Sequence, residues 1–124
     1  MSVHPTLRYH DPDAAIGFLR DALGFTVAAS HRDDSGAVAH AELVQGGGAV
    51  LIGPRREGDR FDTGRAVVYV VVDDPDAHHD RAVAAGAEVV MELTDQDYGS
   101  REYAAVDGEG NVWSVGTYRP GTAP

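Results

Sequence analysis

The 124-residue sequence has no cysteine, so it forms no disulfide, thiolate nucleophile or zinc–thiolate centre, and any metal would need histidine and carboxylate ligands. Its longest apolar run, around Val67 to Val72, is far too short to cross a bilayer, and no membrane role is expected. Positive charge is scarce: ten Lys and Arg stand against twenty Asp and Glu, a formal net charge of −10, and the basic residues come singly or in pairs such as Arg55-Arg56. Such a chain repels a phosphate backbone, so nucleic acid is not an expected partner. The start, Met1-Ser2-Val3-His4-Pro5, has no basic segment leading into an apolar stretch, and the expected location is cytoplasmic. A glycine-rich loop opening a helix is also missing, because Gly46-Gly47-Gly48 joins two strands, and there is no nucleophile elbow or triad signature. Phosphate cradling and covalent catalysis are therefore unsupported.

What the chain does contain is a repeat. Asp11-Pro12-Asp13-Ala14 recurs as Asp74-Pro75-Asp76-Ala77, each time after a short extended run, Thr6 to Tyr9 and then Val67 to Val72. Each copy predicts a helix start: the first Asp caps free amides, Pro tolerates the first turn, and the second Asp favours the positive end of the helix dipole. Ala15, Ile16, Phe18, Leu19 and Leu23 fall at helical spacing before Gly24, and Ala77, Val83, Ala84 and Ala85 make a weaker stripe before Gly86. Strand-like segments follow each glycine: Phe25 to Ser30, Val38 to Val44 and Ala49 to Ile52, then Glu88 to Leu93, Glu102 to Val106 and Asn111 to Thr117.

The expected fold is α+β, with two βαβββ modules forming paired, curled mixed sheets around a central pocket. The chain reads as one domain at 1–124, with module one at about 1–56, a polar connector at about 54–64 and module two at about 65–120. One domain of this size buries one core, which the duplicated halves must share.

The opening, with Pro5-Thr6-Leu7-Arg8-Tyr9 leading into the Asp-Pro helix and Ala22-Leu23-Gly24-Phe25, resembles that of the vicinal oxygen chelate superfamily, the glyoxalase, bleomycin-resistance and extradiol dioxygenase proteins. The closing stretch, Tyr98-Gly99-Ser100-Arg101-Glu102-Tyr103 and Asp107-Gly108-Glu109-Gly110-Asn111-Val112-Trp113-Ser114, is similar to the ending of the bleomycin-resistance-like branch, with Gly108 where Pro is usual. The resemblance implies that metal-dependent members hold an ion through one residue from the first and one from the last strand of each module. Carried over, those places fall on His4, Ile52, Val67 and Ser114, and the neighbours Leu51 and Gly53 are no better donors. A single histidine does not make such a site.

The expectation is a metal-free small-molecule binder without cofactor, taking an aromatic or cationic ligand, with a homodimer implied by the resemblance. The pocket residues named for it are His4, Thr6, Arg8, Tyr69, Ser114 and Tyr118. The alternative is a lyase, isomerase or dioxygenase using a divalent metal held by His4 with Glu42 or Glu92. His40 and Glu42 share a strand face and read foremost as a solvated pair. His78 and His79 read as a wet helix surface, Arg8 as an anion anchor or an internal ion pair, Arg101 with Asp107 as a structural pair, and Trp113 as packed under a helix.

Overall fold

The computed structural model describes residues 1–121. Ten elements follow the repeated plan. Module one runs β1 (Thr6–Tyr9), α1 (Pro12–Asp21), β2 (Thr26–Arg32), β3 (Val38–Gln45) and β4 (Gly48–Pro54). Module two runs β5 (Val67–Val71), α2 (Pro75–Ala84), β6 (Glu88–Asp95), β7 (Arg101–Val106) and β8 (Val112–Gly116). Each module makes a four-stranded sheet, ordered β1-β4-β3-β2 and β5-β8-β7-β6, in which the first and last strands pair parallel and the rest antiparallel. The sheets are not closed into barrels.

Both helix starts form as the Asp-Pro motif dictates. The Asp11 and Asp74 carboxylates accept from the amides of Ala14 and Ala77 at 3.0 and 3.1 Å, and Pro sits in each first turn, where its missing N–H costs nothing. After the helices Gly24 and Gly86 turn the chain with φ of +75° and +89°, a conformation other residues adopt only with strain.

Alternation along the strands decides what is buried. On β1, Leu7 and Tyr9 are buried while Thr6 is exposed, and in module two Tyr103, Trp113 and Val115 are fully buried. These helix-bearing faces merge into one core containing Leu19, Leu23, Leu43 and Ile52 from module one with Val70, Tyr103, Trp113 and Val115 from module two. Phe25 meets Trp113 edge to face across the seam at 5.9 Å.

The modules are also locked by polar groups. Asp107, buried in the β7–β8 turn, accepts from the Tyr9 hydroxyl at 2.6 Å and from Trp113 Nε1 and Asn111 Nδ2 at 3.1 Å each. Glu109 takes the amides of His10 and Asp11. Burial in that company pushes the Tyr9 hydroxyl's pKa well up, with the bond to Asp107 adding to it.

Two readings need correction here. Arg101 does not pair with Asp107; it binds Asp76 and Asp95, because Arg101 opens β7 and Asp107 follows its far end. His78 and His79 are not a wet surface. His78 joins α2 to both neighbours, with Nε2 donating to the Leu23 carbonyl at 2.9 Å and Nδ1 therefore accepting from the Tyr103 hydroxyl. The His79 side chain is 14% exposed and sits edge-on to the same Tyr103 ring.

Candidate ligand-binding site

The face of each sheet opposite its helix stays uncovered, and four of the sequence-named residues fall on these two faces. In module one, Thr6 and Arg8 lie there opposite Leu51 and Gly53. In module two, Tyr69 and Ser114 face each other across β5 and β8, with Tyr118 just beyond β8. Thr6 and Arg8 thus lie on one open face and Tyr69 and Ser114 on the other. A cavity of about 330 Å³ does exist, but it lies at the seam, between the Val3–Pro5 segment, the β3–β4 turn and β5; of the six residues named from the sequence, Tyr69 alone lines it.

His4 is exposed, with Nδ1 donating to the Ala49 carbonyl at 3.3 Å and Nε2 thus accepting from the Ser2 hydroxyl at 2.6 Å. Arg8 forms an ion pair with Asp59 of the connector at 3.1 Å and stacks over Phe61. It lies against Gly53, where any β-carbon would collide with the guanidinium. Backbone amide bonding to Phe61, together with Arg8, holds the Asp59 carboxyl below its ordinary pKa.

The places carried over for metal ligands are His4, an aliphatic residue on β4, Val67 and Ser114. On β4 the open face carries Leu51, which pairs with Thr6, whereas Ile52 pairs with Leu7 and is buried in the core. Isobutyl and isopropyl groups supply no lone pair to a divalent ion. Glu42 bonds His40 at 3.1 Å and Glu92 lies 3.4 Å from His79, so neither joins His4. Among the described residues no group of three or more His, Asp or Glu side chains comes together as a metal site. The residues do not fit a glyoxalase-type ion.

Sequence reasoning missed the most organised polar group on the open face of module two. Glu102 is 4% exposed, and its carboxylate accepts hydroxyl protons from Tyr98 at 2.6 Å, Tyr69 at 2.8 Å and Ser100 at 2.9 Å. The Tyr69 oxygen in turn accepts the Tyr118 amide at 3.1 Å. Burial works to raise the Glu102 pKa, but these hydroxyls and the Gln96 amide outweigh it and hold the carboxyl below its ordinary value. The same bond pushes the Tyr98 phenol up to about 12, with burial adding to it. Gly116, opposite Glu102, makes the cluster possible: a β-carbon there would collide with Glu102 Cγ and the Tyr69 hydroxyl. The available signal was the period-two alternation that puts Glu102 on the face of Ser100 and opposite that of Tyr103.

Two βαβββ modules sharing a core, with uncovered faces carrying apolar side chains and a few converging hydroxyls, define the paired-module class of scaffold. The chain belongs to the Glyoxalase/Bleomycin resistance protein/Dioxygenase superfamily, whose pattern matches residues 2–115. It is 30% identical to an uncharacterised protein of Mycobacterium bovis over 94% of this chain and 85% of that one. The solved structure of TioX from Micromonospora sp. ML1 superposes with a TM-score of 0.79 at 30% identity, covering 99% of this chain and all of that one. TnmS3, an antibiotic binding protein from Streptomyces sp. CB03234, superposes with a TM-score of 0.76 at 18% identity, over 96% and 98% of the two chains.

Proposed function

We propose that this protein binds an aromatic or cationic small molecule on the open sheet faces without a metal ion, in the manner of the bleomycin-resistance-like members rather than the metal-dependent enzymes. The observation that carries the reading is the side-chain set at the four ligand places: one histidine, two aliphatic residues and one serine, in which only His4 is an ordinary ligand for a divalent ion. No pairing of faces in an assembly supplies the missing donors at those places. Glu102 suits the same reading. A carboxylate held ionised and saturated with hydroxyl donors presents charge, whereas a general base works best with a pKa near the working pH. The antibiotic binding named for TnmS3 is consistent with a binder on this scaffold.

The uncovered faces favour a homodimer in which a second copy closes each one, and the proposed location is the cytoplasm. Sedimentation is expected to give twice the chain mass of 13.1 kDa. A thermal-shift screen of small aromatic and cationic compounds tests the function. The expected result is at least one compound that raises the midpoint in a concentration-dependent way, as a ligand specific to the folded state must. No stabilising compound, with turnover of a substrate dependent on an added divalent ion, would contradict it.

A further inference from the structure

The hydroxyl donors around Glu102 serve its two oxygens unequally. Oε2 is held from within the fold by Tyr69 at 2.8 Å and Ser100 at 2.9 Å. Oε1 takes the Tyr98 hydroxyl at 2.6 Å, and Tyr98 stands on the β6–β7 turn with 60% of its surface exposed. Beside it the Tyr118 ring, 37% exposed, meets Tyr98 edge to face with centroids 5.9 Å apart. Every donor to the carboxylate is uncharged. The Arg101 guanidinium is directed to Asp76 and Asp95. A buried negative charge thus lies at the tip of the accessible Tyr98 ring, which meets the Tyr118 ring, and among the described residues its hydroxyl donors carry no positive charge.

This arrangement has a chemical preference. The face of a phenol ring attracts a cation through its quadrupole. An ammonium N–H brings a full positive charge to the carboxylate as well as a hydrogen bond, which a neutral phenol does not. The formal net charge of −10 draws cations toward the surface over longer range.

We infer that Tyr98, Tyr118 and Glu102 form a subsite for a protonated amine, whose N–H group takes Glu102 Oε1 in place of the Tyr98 hydroxyl while the two rings flank it. The inference rests on the small-molecule reading above and adds the charge class of the ligand and the residues that select it. Tyr98 is the displaceable plug; Tyr69, Ser100 and Gly116 are the fixed frame.

Benzylammonium and benzyl alcohol are suitable probes, being nearly alike in shape and different in charge. Titration into the full chain, followed through the tyrosine ring resonances by NMR, is expected to show benzylammonium binding about tenfold tighter, with Tyr98 and Tyr118 moving most. Tyr98→Phe keeps the ring and frees Oε1, so it is expected to tighten benzylammonium. Glu102→Gln is expected to erase the preference, and a thermal melt establishes that it folds. If it does not fold, Tyr118→Ala, which removes one flanking ring at the surface, is expected to weaken benzylammonium alone. Equal binding of the two probes, no shift at either ring, or weaker benzylammonium binding in Tyr98→Phe overturns the inference. Neutral aromatic compounds that stabilise the protein while the probes bind equally would leave the broader reading standing and remove this one.

Discussion

At the scale of single residues, the site depends on one missing side chain. Gly116 has no room for a β-carbon, because the Glu102 stem and the Tyr69 hydroxyl occupy that space. Gly116→Ala is therefore expected to cost about 1–3 kcal/mol through overpacking, read from the denaturation midpoint. It should also displace Glu102, so the Tyr98 phenol, now raised to about 12, is expected to titrate at lower pH in the variant. A stable variant with an unchanged Tyr98 titration would show that the contact is not tight. His78 gives a second test. Burial holds its pKa below the usual 6.5, with the Arg81 charge acting the same way. Above that value the ring is neutral in both folded and unfolded chains. As pH falls below it, the unfolded chain takes up the proton first, so stability is lost toward the folded pKa. The thermal midpoint of the native protein is expected to fall more steeply between pH 7 and 5 than that of His78→Gln, and parallel curves would contradict this.

At the scale of elements, the helix starts and the strand order were legible because their signals are local. An Asp-Pro-Asp-Ala motif fixes a cap within four residues, and a positive-φ glycine ends the segment nearby. Side-chain partners across elements were not legible, since they depend on registers and on packing between modules. Tyr9 and Asp107 meet from positions 98 residues apart, and His78 is held by Leu23 after α1 and Tyr103 on β7. For the same reason Glu102 stood in the sequence only as part of the closing stretch, with no role of its own. Asp107 is the element-scale test. Asp107→Ala leaves the Tyr9 hydroxyl, the Trp113 indole and Asn111 without their acceptor inside the fold. The expected loss is about 3 kcal/mol or more, against about 1.5–3 for Tyr9→Phe, which removes one bond to a charged group. Equal midpoints for Asp107→Ala and the native chain would show that the seam is held by apolar packing alone.

For the whole molecule, the helix-bearing faces supply the stability and the helix-free faces are left uncovered, where binding and pairing are proposed. The core mixes residues of both modules, so neither half buries its apolar surface alone. The uncovered faces carry the exposed Val67 and Tyr98 together with Glu102. The central claim is that this superfamily member works there without an ion, and metal titration tests it most directly. Tag-free, chelator-treated protein titrated with nickel(II), zinc(II), manganese(II) and iron(II) is expected to bind none of them stoichiometrically. One ion bound per chain, and lost in His4→Ala, would contradict the account.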